Sequence, residues 1–267
     1  MTIDGRAFHT FTKGFKKPYD EIFHDTMNQA TKYLCENIQG CKLGYTQSDE
    51  ITLLLTDYDT LTTNAWFDNN VQKICSVSAS MATLQFNKFF KENVQKYFND
   101  NVDIIPLYDD EYDFKESFDK DYFYHVLCPA EEMGAMFDSR CFNIPIEEVV
   151  NCFIWRQQDA TRNAIQMLGQ TYFPHKELDH KSCNDIQDML MLQKNINFNN
   201  MPTEFKRGVC CVKKIIQNPT MDIKDGACPV QRWIIDKNIP IFSQNRDYIE
   251  QLLVSQNIKE RSGNKNE

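Results

Sequence analysis

No apolar run in the 267-residue sequence approaches the roughly 20 residues of a membrane span. The N-terminus carries no basic-then-apolar segment, which argues against secretion. None of the ten cysteines stands in a CxxC pair, and the thiols read as reduced, as in a cytoplasmic protein. Cys35, Cys75 and Cys152 fall at apolar-face positions and suit a core. Repeats and low-complexity segments are also missing. What remains, 42% hydrophobic and 25% charged residues, is ordinary for a soluble domain able to bury its own core.

The chain also lacks an excess of positive charge. Its net charge is −9, an unpromising balance for a nucleic-acid enzyme. The deficit is local: residues 100 to 121 hold nine acids against Lys115 and Lys120, leaving the rest near −2. Lysine and arginine cluster at Lys13/Lys16/Lys17, Lys88/Lys91/Lys96 and Lys206/Arg207/Lys213/Lys214. A local basic face binds phosphates whatever the total; alternatively, these are solvated surface lysines.

The spacing predicts a very short first strand ending at Asp4, a loop over 5–17, and a helix from Pro18 and Asp20 to about Asn37. Cys41–Tyr45 and Ile51–Leu55 read as a hairpin with its tip at Thr46–Glu50. A long helix is expected over 62–98, with Trp66, Val71, Ile74, Val77, Met81, Leu84, Phe86 and Phe90 on its buried side. The acidic segment that follows reads as a surface loop or insertion. Further on come a strand over 135–143, helices over 146–169 and 181–192, and a strand over 209–216. The expected class is α+β: a palm-like, ferredoxin-type βαββαβ antiparallel sheet with helices on one face, plus a C-terminal helical and strand extension. The expected divisions are a catalytic palm over 1–144, its C-terminal part over 145–216, and an extension over 217–267.

Two aspartates stand at the ends of apolar runs: Asp4, followed by Gly5, and Asp49, followed by Glu50. Side by side on neighbouring strands they would hold two Mg²⁺ ions, a device for in-line attack on phosphorus. Each also suits an ordinary turn. Gly5 lets the backbone approach a metal closely. Glu50 would assist the metals or orient the turn. Lys17, before a helix start, and the Ser48 hydroxyl suit phosphate, and Phe8 and His9 suit a base. His175, His180 and Cys183 have zinc-ligand chemistry but no fourth ligand or recognisable spacing.

The blocks Asp4-Gly5-Arg6-Ala7-Phe8-His9, Lys17-Pro18, Ser48-Asp49-Glu50, Phe137-Asp138-Ser139-Arg140, Trp155-Arg156-Gln157 and Phe205-Lys206-Arg207-Gly208, in this order, resemble the tRNA-His guanylyltransferase family. The resemblance implies a nucleotidyltransferase that adds nucleotides to the 5′ end of tRNA in the 3′–5′ direction, with ATP and GTP as substrates and two Mg²⁺ ions. It implies metal ligation by Asp4, the Gly5 carbonyl and Asp49, and catalysis by those carboxylates and Glu50. It also implies triphosphate contacts from the amides of Arg6, Ala7, Phe8 and His9 and from Lys17 and Ser48. Asn163 matches an asparagine important in the activation step and Lys73 a basic residue near a second triphosphate; Lys206 and Arg207 would bind tRNA, and the assembly would be a homotetramer. Thr161-Arg162-Asn163-Ala164 replaces the eukaryotic His-Ile-Asn-Asn, which resembles the bacterial, archaeal and phage branch that repairs 5′-truncated tRNAs. The brevity of the first strand implies that it continues upstream of Met1. A palm-type nucleotide cyclase, a forward-direction polymerase and a non-enzymatic RNA-binding module use or retain similar carboxylates; the product, or its absence, distinguishes them.

Overall fold

The computed structural model describes residues 1–60, 62–104, 112–216 and 230–253. The chain opens with β1 (Thr2–Gly5), a one-turn helix α1 (Phe8–Phe11) inside the expected loop, and α2 (Glu21–Asn37). The Asp20 side chain caps α2 by accepting the Phe23 amide at 3.0 Å, and Met27, Ala30 and Leu34 are buried at helical spacing. The hairpin follows as β2 (Cys41–Gln47) and β3 (Glu50–Leu55). Its tip is narrower than expected: Gln47 pairs with Glu50, leaving only Ser48 and Asp49 in the turn.

The long helix α3 (Val71–Asn101) starts after a separate short 3₁₀ turn at Trp66–Asn69. Its buried stripe is Ile74, Ser78, Ala82, Phe86, Phe90 and Val94, while the expected core residues Val71 and Leu84 are exposed. Hydropathy misplaces the stripe because two of its positions are small: Ser78 lies against the sheet and donates to the Ser139 hydroxyl at 2.8 Å. The acidic segment is not all loop. β4 (Val102–Ile104) and β5 (Tyr112–Phe114) pair as a separate ribbon, and residues 105–111 between them lie outside the described residues.

After α4 (Lys120–Tyr122) and α5 (Cys128–Met133), β6 (Phe137–Arg140) is shorter than the strand expected over 135–143. Then come α6 (Val149–Tyr172), α7 (His175–Leu178), α8 (Cys183–Lys194), α9 (Thr203–Arg207), β7 (Val209–Ile216), β8 (Val230–Asp236) and α10 (Asp247–Leu253). The main sheet has the order β6-β1-β3-β2-β7-β8, every neighbour antiparallel. Its first four strands with α2 and α3 form the expected βαββαβ unit; β7 and β8 widen it at the β2 edge. Among the described residues no helix is long and apolar enough to cross a membrane.

The sheet separates two cores. Ile3, Ile51 and Leu53 face α2 and α3. Leu43, Tyr45, Leu54, Cys210 and Val212 face Val150, Phe153 and Ala160 of α6 and Ile249 of α10. Cys41 belongs to the first core and Leu43 to the second although they are two residues apart, because the register shifts between them. Gly44 lets α2 approach the sheet: a Cβ there would lie 2.4 Å from the Cys35 sulfur.

Candidate active site

Three carboxylates line up across the sheet. Asp4 of β1 stands opposite Glu50 of β3 on one side and Asp138 of β6 on the other. Opposed residues in an antiparallel ladder project to the same face. Ile3 and Ile51 face α2 and α3, so Asp4, Glu50 and Asp138 occupy the opposite face. Burial raises the Asp4 carboxyl above the usual range; Glu50 and then Asp138 push it the same way, and Arg140 opposes them.

Asp49 joins this group through the backbone: its carbonyl accepts the Gly5 amide at 3.1 Å. Ser48 takes a left-handed φ of 50° in the turn, and its hydroxyl donates to the Asp49 carboxylate at 3.0 Å. Burial raises the Asp49 carboxyl as well, against its own backbone amide and the Ser48 hydroxyl, with smaller repulsion from Asp4 and Glu50. The two expected carboxylates are thus drawn to one place by the β1–β3 pairing. Among the described residues no three His, Cys, Asp or Glu side chains converge as metal ligands. The grouping of His175, His180 and Cys183 is therefore not formed, and a metal at Asp4 and Asp49 would rest on two side chains, a backbone carbonyl and substrate oxygens.

Beside Gly5 and Asp49 opens a cavity of about 550 Å³. Its lining includes Ala7, Phe8, His9, Lys17, Ser48 and Asn163, for which the family resemblance implies nucleotide contacts. α6 supplies one wall through Ala160, Asn163, Ala164 and Met167, at helical spacings of three and four. Gly5 cannot carry a side chain here, because a Cβ would lie 2.3 Å from the Phe8 ring. The far end, which sequence reasoning missed, is built from Tyr19, His24, Glu204 and Phe205. His24 Nε2 and Lys237 Nζ each lie 3.1 Å from the Glu204 carboxylate. Burial lowers His24 against the pull of Glu204, and burial beside Glu204 raises the Tyr19 hydroxyl. These residues come from three separated segments, and no local motif links them.

Several expected roles change. Phe8 is 5% exposed, and its ring packs against Phe11, Phe23, Phe86 and Phe137, so it is core rather than a base platform; only its backbone is available to a ligand. The Arg6 amide donates to the Met136 carbonyl at 2.8 Å and is not free for phosphate, whereas the amides of Phe8 and His9, in the first turn of α1, have no intrahelical acceptor. Lys73, expected at a second triphosphate rather than this one, lies outside the cavity, exposed on the first turn of α3, its Nζ 5.9 Å from the Phe67 ring centroid. Lys206 is buried and its ammonium donates to the Asn199 carbonyl, so it holds α9 in place rather than meeting RNA; Arg207 beside it is half-buried. Glu50 faces Asp4 but is occupied: Arg156 Nη1 lies 2.9 Å from both of its oxygens, with the two side chains 20% and 16% exposed. Asp138, part of one of the family-like blocks, carried no expected role of its own. The two-residue period of Asp138-Ser139-Arg140 was the signal that placed its first and last residues on one face.

A family model described as tRNAHis guanylyltransferase matches residues 1–145. The chain is similar to a bacterial tRNA(His) guanylyltransferase-like protein solved in complex with ATP (42% identity, 96% of this chain and 89% of that one, TM-score 0.73). It is also similar to such a protein solved in complex with GTP (37% identity, 94% and 87% covered, TM-score 0.69). A probable tRNA(His) guanylyltransferase of Dictyostelium discoideum is 26% identical over 257 residues, 91% of this chain and 85% of that one. With more than half of its length matched by the family model, and with that fold, the chain belongs to the tRNAHis guanylyltransferase family and is a nucleotidyltransferase.

Proposed function

We propose that this enzyme adds nucleotides, GTP by preference, to the 5′ end of tRNA in the 3′–5′ direction, capping tRNA-His, repairing 5′-truncated tRNAs, or both. The observation that carries the reading is the cavity beside Gly5 and Asp49, whose lining holds the expected contacts of one nucleotide other than Arg6, next to one of the two expected metal-binding carboxylates. A purine nucleoside triphosphate suits its size and lining: Lys17 at the wall for phosphate, the unpaired first-turn amides of Phe8 and His9, and the rings of Tyr19 and Phe205 at the far end. Asn163 projects from α6 into the same space.

Asp4, Asp49 and the Gly5 carbonyl would hold the two Mg²⁺ ions. The donor set fits a hard cation: all oxygen, with Glu50 and Asp138 leaving Asp4 in excess negative charge. Bound there, the ions would neutralise the attacked phosphate and activate the attacking oxygen. The chain's own residues do the positioning. Ser48 orients the Asp49 carboxylate, Arg156 holds Glu50 back, and the Phe8 ring fixes the Gly5 turn. Work on tRNA would place the enzyme in the cytoplasm, and the family resemblance extends to a homotetramer, which sedimentation measures.

The test is incubation with labelled GTP, ATP and Mg²⁺ and two substrates, tRNA-His and a tRNA lacking its first nucleotide. Label at the 5′ end, dependent on Mg²⁺ and lost in Asp49→Ala, is the expected result; the ratio of the two products separates capping from repair. A cyclic nucleotide, a 3′ extension or no turnover would replace the proposal by one of the other readings.

A further inference from the structure

The carboxylates have two approaches, and the cavity occupies one of them. α6 covers the sheet face over β2 and β7 and borders an open strip that bears Asp138 and Arg140, both exposed. On the turn of α6 that reaches the carboxylates through Arg156 stands Trp155, 64% exposed and among the largest apolar groups left in solvent. The Arg156 guanidinium carbon lies 4.7 Å from the centroid of its ring. The same guanidinium binds Glu50, which faces Asp4. The indole is therefore one arginine side chain away from the carboxylate row. Neither Trp155 nor Arg156 lines the nucleotide cavity.

Joining two substrates at one carboxylate pair requires the second to arrive where the first does not lie. We propose that Trp155 is the stacking platform for the terminal base of the RNA 5′ end, which reaches Asp4 over Arg140 while the triphosphate fills the cavity. The inference rests on the nucleotidyl-transfer reading above and adds the acceptor subsite to it. An indole buttressed on one side by a guanidinium offers its ring to a base at little cost in side-chain freedom, and Arg140 and Arg156 put positive charge where the RNA backbone must pass. Stacking tolerates any base, as an enzyme acting on a variable first nucleotide requires.

The test uses the Trp66→Phe/Trp233→Phe variant, in which Trp155 is the only tryptophan. Two 5′-phosphorylated RNA stem-loops are compared, one with adenosine at the first position and one with an abasic ribose there. Indole emission is expected to be quenched saturably by the first RNA, and by neither the abasic RNA nor GTP alone. In the otherwise native chain, Trp155→Ala should raise Kd for the adenosine RNA about tenfold, leave the abasic RNA unchanged, and be largely rescued by Trp155→Phe. Equal losses for both RNAs, quenching by GTP alone, or a change only in sedimentation would overturn the proposal. These are binding measurements, so base-dependent quenching without 5′ addition would sink the functional reading and keep the platform; addition without quenching would do the reverse.

Discussion

Asp4 is expected to weaken the fold that it serves. Its carboxyl stands opposite Glu50 and Asp138, and cross-strand Cβ atoms about 5 Å apart put such carboxyl groups about 6 Å apart. At an effective dielectric of about 20, two unit charges at that distance repel by about 3 kcal/mol. Asp4 is half-exposed, Arg156 already neutralises Glu50 and Arg140 lies 3.5 Å from Asp138, so the net cost falls to about 1 kcal/mol. The folded carboxyl titrates above the unfolded one, so folding favours its protonated form. That stabilisation is complete below the usual aspartate value of about 3.9 and is lost as pH rises through the raised folded value. Asp4→Asn should therefore raise Tm by about 3 °C near pH 7, abolish nucleotide addition, and lose most of its advantage near pH 3.5. Mg²⁺ should stabilise the native chain and not the variant, because binding to the folded state alone shifts the equilibrium. Thermal melts of both proteins at the two pH values, with and without Mg²⁺, measure all of this. A variant less stable than the native chain near pH 7, or an advantage independent of pH, would refute the electrostatic reasoning.

Gly5→Ala should cost about 1–3 kcal/mol by overpacking against the Phe8 ring, read by urea unfolding, and should lower nucleotide affinity in calorimetry. Arg156→Met leaves Glu50 without its charged partner; a cost of 3–5 kcal/mol for a buried pair, reduced for partial exposure to about 2 kcal/mol, should appear in unfolding and largely vanish when Glu50→Gln is added. Lys206→Met should lower stability by about 1–2 kcal/mol and leave the salt dependence of RNA binding unchanged, whereas Arg207→Ala should reduce the slope of log K against log salt by about one.

Local pattern made much of this molecule legible. Asp20 before an apolar 3–4 repeat located α2, and two apolar runs flanking a polar turn located β2 and β3. That hairpin is local, so the turn holding Asp49 was legible; its place beside Asp4 comes from the long-range β1–β3 pairing, which the expected βαββαβ order and the family resemblance implied and no local pattern did. What escaped was set by contacts between distant segments. The buried stripe of α3 runs through Ser78 and Ala82, whose size, not hydropathy, admits the sheet. Lys206 reads as a surface cation and is instead drawn inward by the Asn199 carbonyl. The far wall of the cavity joins Tyr19 and His24 to Glu204, residues 180 positions apart, and only the closure of α9 onto α2 brings them together.

The Trp155-Arg156-Gln157 block illustrates how one helical turn divides labour that a motif leaves undivided. Consecutive residues on an α-helix point about 100° apart. Gln157 points inward: its amide donates to the Pro240 carbonyl at 2.9 Å and accepts the Phe242 amide at 2.9 Å, tying the segment after β8 to α6. Arg156 lies on the stripe that continues through Ala160, Asn163 and Met167, so the helix that walls the cavity also restrains Glu50. Trp155 is left on the outer face. A shift of α6 by one residue would bury the indole, expose the glutamine and leave Glu50 facing Asp4 unpaired. The rigidity of α6, whose Phe153 packs on Tyr45 and through it on Phe242, is therefore a condition of the site's electrostatics as much as of its shape.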